Sequence, residues 1–467
     1  HFPNQTPEQW VDRLHASANN DVGVDYVNSV TFGNGVVHEY SYEAGHGVMN
    51  IYAALQPITS SSYITRVWAT NEEGQSESFA LTETQIRASR SFGDALTNAL
   101  ENELTYMYDA LDGGFAFELD QAVQPNFLVS KPSISASSEL GRTILTERLY
   151  ENLTRKKERD PATDGYFEFS MTQSNQSLND FASEGSWSGL NDTQYMFPFM
   201  SDVQGGTGLS FGNSIGEDYF SLSYTQQHED LEDGDLKQAF TFSYGTEFGD
   251  STDFEIIAGY VDEQEYFLGT KGSGAFDFSG ADNNTSFMGF KSTSLLGDRL
   301  ILNAGASLSY TDVNKPSSGI ITEISDVTAS AFELGVTKFG VLGGDALSFS
   351  VGQPHRVEDG NAHLQIAGLE NSDGTVPYTY KSATLAPSGR QIDLSMAYNF
   401  DLSKKSAIRF KSMHTLEKGH VAGADPENSL FLGYASERIF GDDQFAMGAA
   451  LTDAKDTTVE MNYTIQW

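Results

Sequence analysis

The side chains able to do chemistry are scattered, and few are spaced to act together. His1, His15 and His38 have no Ser or Asp partner at an interpretable spacing, and His46 lies in a glycine-rich lead-in to a helix, which gives it a structural role. A nucleophile, base and orienter can come from any positions in a chain, but nothing here marks a set. Ser412 and His414 stand two apart in an alternating stretch and share the face of Ile408 and Phe410. A lipid-hydrolysing pair is therefore geometrically allowed, with no supporting Asn or second Ser marked. The loop His228-Glu229-Asp230-Leu231-Glu232-Asp233-Gly234-Asp235 carries five carboxylates. Hard cations take such oxygens, so loose Ca²⁺ or Mg²⁺ binding is open to it. It lacks EF-hand spacing and reads first as a solvated loop. Arg155-Lys156-Lys157-Glu158-Arg159 is the one basic cluster, a solvated helix end or a contact for lumen carboxylates or lipid phosphate. No residue is assigned a catalytic, cofactor-binding or metal role.

Composition limits the class. The 467 residues hold 65 Asp and Glu against 27 Lys and Arg, a net charge of −38. A phosphate-binding surface must be basic, so nucleic acid is not an expected partner. With no cysteine there are no disulfides and no thiolate metal sites. The mean hydropathy of −0.36 looks soluble, and no run approaches the ~18 apolar residues of a membrane helix. A membrane barrel escapes both tests, because it needs only alternate residues to be apolar. Gly (44), Phe (31) and Tyr (21) suit such strands, their turns and their aromatic girdles. No signal peptide opens the chain, which suggests an N-terminus made from a longer polypeptide.

The elements follow from period. Val459, Met461, Tyr463, Ile465 and Trp467 alternate with Glu460, Asn462, Thr464 and Gln466, a strand ending on an aromatic residue. The alternation recurs upstream: Phe220, Leu222 and Tyr224; Phe240, Phe242 and Tyr244; Phe254, Ile256, Ala258 and Tyr260; Leu302 to Tyr310; Phe332, Leu334 and Val336; Ile392 to Tyr398. Short turns such as 248–251, 296–299, 342–345, 402–405 and 440–443 alternate with long polar connections at 227–237, 262–284, 352–390 and 417–428. Short turns on one side and long loops on the other mark an outer-membrane barrel. The expected strands are 218–227, 238–248, 252–261, 285–296, 299–311, 328–340, 345–352, 390–401, 406–416, 428–439, 443–452 and 457–467. These twelve put both barrel ends on the short-turn side. A soluble β-sandwich also alternates, but it hides its apolar face and needs neither unequal loops nor a terminal aromatic stripe. Glu255, Asp393, Arg409, Lys411, Glu460 and Asn462 fall on the face expected to line the lumen, as solvated or mutually paired wall charges.

The N-terminal segment reads differently. Thr6-Pro7-Glu8-Gln9 is a helix start, with Thr6 as cap, Pro7 at the first helical position and Gln9 closing the box. Trp10, Val11 and Leu14 give the helix an apolar face. A hairpin-like stretch follows, then a second helix led by Gly45-His46-Gly47-Val48-Met49-Asn50 and closed by Pro57. Phe2-Pro3-Asn4-Gln5-Thr6-Pro7-Glu8-Gln9-Trp10 with Ala16-Ser17-Ala18 resembles the segment after the catalytic-serine helix of subtilisin-like serine proteases. Gly45, Gly47, Val48, Asn50, Ala53, Ala54 and Leu55 resemble the closing helix of that fold. The resemblance covers about residues 1–57 and implies that the whole catalytic triad lies upstream.

Between these parts, Ser89 to Leu96 leads an amphipathic helix through Leu100 and Leu104, and Tyr108-Asp109-Ala110-Leu111-Asp112-Gly113-Gly114 turns into a strand with Phe115, Phe117 and Leu119. The order of parts resembles the subtilase-type autotransporters, in which a peptidase passenger precedes an anchoring and translocating barrel. That family places a helix in the pore before the first strand. Tyr195 to Ile215 contains Pro198, Gly205, Gly206, Gly208 and Gly212, which is poor helix sequence. The plug then comes from 139–159, from 176–192 or from a loop, and a further strand at 207–215 stays open. The resemblance implies three regions: 1–57 as the end of a subtilisin-like α/β domain, 58–217 as a mixed connector and 218–467 as a mainly β, 12-stranded antiparallel outer-membrane barrel. It implies an outer-membrane anchor and translocator with its N-terminal region at the cell surface or in the lumen. Expected partners are outer-membrane lipid, the protease fragment of the same polypeptide, and the barrel-assembly machinery through Tyr463, Ile465 and Trp467. No cofactor is expected. The alternative is a stand-alone porin-like or receptor-like barrel plugged by its own N-terminus.

Overall fold

The computed structural model describes residues 2, 4–21, 23–61, 63–124, 143, 146, 150, 166–172, 206–215, 218–228, 236–249, 251–264, 266–278, 280–314, 318–437, 444–453 and 457–464. Among them no helix is long and apolar enough to cross a membrane, which says nothing of strands. The chain is mainly β. Among the described residues its largest sheet runs in strict sequence order through fourteen antiparallel strands. They are β1 (Tyr166–Thr172), β2 (Gly206–Ile215), β3 (Asp218–His228), β4 (Leu236–Phe248), β5 (Thr252–Gln264), β6 (Asp282–Leu295) and β7 (Leu300–Asn314). Then come β8 (Val327–Phe339), β9 (Asp345–Asp359), β10 (Ile392–Ser403), β11 (Ser406–Leu416), β12 (Glu427–Glu437), β13 (Gln444–Thr452) and β14 (Thr457–Thr464).

All twelve expected strands are present, and two more precede them. The sheet therefore begins at Tyr166 rather than Asp218. β2 is spelled Gly-Thr-Gly-Leu-Ser-Phe-Gly-Asn-Ser-Ile, whose glycines blur the apolar alternation. Its backbone nonetheless pairs over its whole length with β3 and over most of it with β1. Adding two strands leaves the count even, so both ends of the sheet still lie on the short-turn side.

Packing inverts the usual order of a soluble sheet. Leu222, Phe242, Ala258, Met288 and Leu308 form one row of cross-strand partners. Met288 is 56% and Leu308 62% exposed. Phe240, Phe290, Phe332, Leu334, Phe349, Leu394, Leu430 and Leu432 are exposed on the same face. On the opposite face Thr241, Ser243, Asn303, Ser307, Ser309 and Asn399 are buried, as are Glu255 and Lys291 at 6% and 8% exposure. Fully burying one large apolar side chain is worth about 1.5–3 kcal/mol. A dozen left half in water would forfeit a sum comparable with the about 5–15 kcal/mol that keeps a domain folded. The apolar face needs a medium other than water.

The N-terminal region is built around one ion pair. α1 (Pro7–Ala16) starts with the expected capping box: Thr6 Oγ1 accepts from the Gln9 amide and Gln9 Oε1 from the Thr6 amide. The helix delivers Arg13 to a fully buried site, where its guanidinium meets both carboxylate oxygens of Asp109. Arg13 also donates to the carbonyls of Ala54 and Gln56 and lies 4.1 Å over the Phe2 ring. Asp109 in turn accepts from the amides of Ile58, Leu111 and Gly113. A Cβ on Gly113 would sit 2.6 Å from Arg13 Nη1, so glycine is required there. The second helix is shorter than expected: α2 is only Ile51–Ala54, capped by Asn50. The expected long helix after Ser89 also divides, into a tight turn at Arg90–Phe92 and α3 (Ala95–Leu100), because the chain turns at Gly93 with φ +48°. Leu104 instead begins the strand Leu104–Tyr108.

Stranding one buried charge costs about 3–5 kcal/mol. Arg13→Met should destabilise the N-terminal region by that order in urea titrations followed by limited proteolysis. Adding Asp109→Asn should recover part of the loss, since neither charge is then alone; strictly additive losses would show that the two residues act separately.

Candidate functional site

The polar face carries a row of charges in register. Glu255 faces Lys291, Lys291 faces Gly305, and Gly305 faces Glu333; the row continues through Gly352 to Asp393, Thr415 and Glu427. Lys291 lies in the field of both Glu255 and Glu333. Thr415 Oγ1 donates to Asp393 at 2.8 Å, and Arg409 donates to Asn399 Oδ1 at 3.0 Å. Glu255, Asp393 and Arg409 thus fall on the face the sequence assigns them, and Lys411 follows by parity and is half-buried. Glu460 and Asn462 lie in β14, but their side chains are outside the described residues. The arrangement is a wall on which charges of both signs face one another across neighbouring strands.

The long-loop end of this wall receives residues 66–124. A four-stranded sheet orders Ser76–Ala80, Arg66–Thr70, Leu104–Tyr108 and Gly114–Glu118. The strand Gln85–Arg87 pairs with 271–273 of the β5–β6 connection, and Thr70 bridges to Gly319 of the β7–β8 connection. Val67, Ile86, Phe92 and Leu96 share one core with Val261, Phe276, Phe287, Ile321 and Val357. The connections and the N-terminal region are therefore one folded cap.

A histidine pins the cap to the wall. His355 of β9 is buried with Ser91 Oγ 2.7 Å from Nδ1 and Ser309 Oγ of β7 2.9 Å from Nε2. A neutral ring with one donor and one acceptor nitrogen satisfies both hydroxyls. Beside it Arg356 donates to the carbonyls of Gly389 and Pro387 and to Glu358, which also takes Arg390. Asp94 accepts from the Ser388 amide and hydroxyl; burial opposes its ionisation, but these bonds outweigh it and lower the pKa. Lys381 pairs with Glu103, and the Glu370 amide donates to Tyr108, whose pKa burial pushes up to about 12. His420 Nδ1 accepts from the Gln391 amide at 3.0 Å, and its Nε2 lies 3.2 Å from the His355 carbonyl. Burial, then the Arg356 charge, lowers the His420 pKa to about 4.

The other sequence candidates do not gather into a site. His15 stacks on His46 at 4.4 Å, and His38 Nε2 is 3.0 Å from the His46 carbonyl. Burial, then the neighbouring imidazoles, lowers the His46 pKa, as a packing role requires. Among the described residues no group of three or more His, Asp or Glu could hold a metal. The acidic stretch 229–235, the basic stretch 155–159, His1, Ile465 and Trp467 are outside the described residues, and Tyr463 is described by its backbone alone. Within 139–159, Thr146 donates to Asp401 at the short-turn end, and the Tyr150 ring meets Phe339 at 5.0 Å. Arg13, Asp109 and His355 were not marked by sequence. Only the i, i+3 spacing of Trp10 and Arg13 on one helix face hinted at the first.

No family model matches the chain, and no curated protein matches it. Among solved structures it is similar to the loop L8 deletion mutant of OmpT, an outer membrane protein of Vibrio cholerae, at 12% identity and TM-score 0.35, over 62% of this chain and 76% of that one. It is also similar to the Pseudomonas putida toluene transporter TodX, at 9% identity and TM-score 0.27, over 56% and 81%. A third is CdiB from Acinetobacter baumannii, at 10% identity and TM-score 0.27, over 72% of each chain. Likenesses this loose assign no function.

The pin predicts acid lability. An unfolded histidine titrates near 6.5 and His420 near 4, so the unfolded chain binds the extra proton first. The His420 contribution should be intact above about pH 6.5 and fall by about 3 kcal/mol as pH drops toward 4. Hydrogen exchange at the Gln391 amide, corrected for its intrinsic rate, should accelerate over that window. His420→Asn tolerates the left-handed backbone at φ +60° and should make the slope shallower without abolishing it, since the buried His355 remains. An unchanged slope would remove His420 as the titrating group.

Proposed function

We propose that this chain is the anchor and translocator part of a subtilisin-like serine protease autotransporter, set in a bacterial outer membrane, with the catalytic triad upstream of His1. The observation that carries the membrane reading is the sheet with exposed Phe, Leu and Met on one face and buried charges on the other. Lipid removes the cost of the first face, and a polar lumen accommodates the second. Strands in lipid must satisfy every backbone group, so β1 and β14, which run antiparallel and both end the sheet, would pair to close it. The terminal stripe Tyr463, Ile465 and Trp467 would be read by the barrel-insertion machinery.

The protease side rests on residues 1–57. Val37, Tyr42, Val48, Met49, Ile51 and Tyr52 are all more than half exposed, while Tyr26 Oη, Asn28 Nδ2 and His46 Nδ1 are buried without a partner. An apolar face beside orphaned polar atoms suits a segment whose core is shared with the protease fragment. The cap on the long-loop end would then sit at the cell surface, between passenger and pore. A stand-alone plugged porin or receptor is the second reading, favoured by the contacts of Thr146 and Tyr150 along the wall.

The coding sequence ahead of His1 separates the two. A Gly-Thr-Ser-Met-like nucleophile motif shortly before His1, with a silent lumen in planar bilayers, is the expected result. An initiator Met and signal peptide directly before His1, with steady conductance, would replace the protease anchor by a porin.

A further inference from the structure

We infer that the outer face carries a second, independent chemistry: Ser412, His414 and Asn428 form an ester-hydrolysing site for membrane lipid. β11 and β12 are antiparallel neighbours that place His414 directly opposite Asn428 and Ser412 opposite Leu430. The alternate residues Arg409, Met413 and Thr415 are buried on the inner side, so Ser412 and His414 look outward. Two strand residues span about 6.5 Å, within the reach of a Ser and a His side chain.

Protonation of His414 follows from the network around it. Asp453 Oδ2 accepts from both the backbone amide and the side-chain Nδ2 of Asn428, each at 2.9 Å. A carboxylate accepts only, which fixes the orientation of the Asn428 amide. Its Oδ1 therefore faces His414 Nδ1, at 2.9 Å. A carbonyl oxygen also accepts only, so Nδ1 carries the proton and Nε2 of the neutral ring keeps its lone pair. That is a base held in one tautomer by a third group, with a hydroxyl two residues along the same face; rotation of the Ser412 and His414 side chains toward each other would complete the arrangement of an activated serine.

The substrate class follows from position. His414 is two residues from the long-loop end of β11 and opposite Leu394, and the exposed Leu394 and Leu430 flank the pair. An acyl chain lying on this apolar face brings its ester to Ser412 at the rim of the belt. Ser412 Oγ adds to the ester carbonyl while its proton passes to His414 Nε2. The C–O bond then breaks, and the alcohol leaves with that proton. Water, deprotonated by the same nitrogen, releases the fatty acid and restores the serine. Asn428 and Asp453 are positioning residues.

The test uses the full chain refolded from denaturant in detergent, which excludes host lipases, with a long-chain alkyl sulfonyl fluoride and micelles of a short-chain diacyl phosphatidylcholine as probes. The expected result is one covalent adduct mapped to the Ser412 peptide, and fatty-acid release that Ser412→Ala abolishes. His414→Asn should lower that release by about 10²–10⁴-fold, the usual weight of a general base. Asn428→Ala should lower it less and shift its pH profile, which loss of a merely structural contact would not do. Heat-modifiable mobility on gels verifies that each variant is folded. A folded chain that gains no adduct, or whose hydrolysis survives Ser412→Ala, overturns the site and leaves the autotransporter reading untouched. A chain that does not fold in detergent overturns the membrane reading itself.

Discussion

A β-strand sends successive side chains to opposite faces, and in this chain that alternation is kept in phase from β3 through β8 and resumes beyond the bulges between β8 and β9. Where strands pair residue by residue, one strand's choice of face is imposed on its neighbours. The row from Leu222 through Phe242 and Met288 to Leu308 and the row from Glu255 through Lys291 to Glu333 result from the same register. A slip of one residue in the pairing of β6 would send Lys291 outward and Met288 inward. The sheet thus specifies its own surroundings, apolar on one side and polar on the other.

What happens inside and above the sheet follows from that polarity. A polar wall cannot be covered by an ordinary hydrophobic core, so hydrogen bonds hold much of what touches it: Thr146 on Asp401, Ser91 and Ser309 on His355, beside the local apolar contact of Tyr150 with Phe339. At the long-loop end, where strands outrun the belt, the inner residues become apolar. Val261, Phe287, Val327 and Val357 there share a core with the N-terminal region. The cap is in turn tied to residues 1–57 by the Arg13–Asp109 pair, whose desolvation is balanced by three backbone amides and two carbonyls. The chain from N-terminus to wall is continuous.

Most of the sheet was legible in the sequence because period two is a local signal. Phe240, Phe242 and Tyr244 state their face without help from elsewhere. β2 was left open because Gly206, Gly208 and Gly212 have no side chain to declare a face, and its pairing is a property of its neighbours. α2 and the break at Gly93 escaped because tertiary packing, here Gly93 against Gly419, overrode helix periodicity. The wall charges Glu255, Asp393 and Arg409 were legible through parity. The long-range contacts that tie the regions together were not. His355 meets Ser91 across 264 residues, and Arg13 meets Asp109 across 96. For Ser412 and His414, parity gave the shared face, but Asn428 and Asp453 became partners only through strand pairing.

The chain has no cysteine, so single cysteines can report which medium each face meets. Spin labels at Leu222, Met288 and Leu308, and at Ser243 and Ser307, in the chain reconstituted into lipid vesicles provide the comparison. The account predicts that the first three are relaxed by oxygen dissolved in hydrocarbon and shielded from a water-soluble nickel chelate, with lower oxygen access at the two serines. Equal nickel access at Met288 and Ser307 would contradict it, because the apolar face would then be in water.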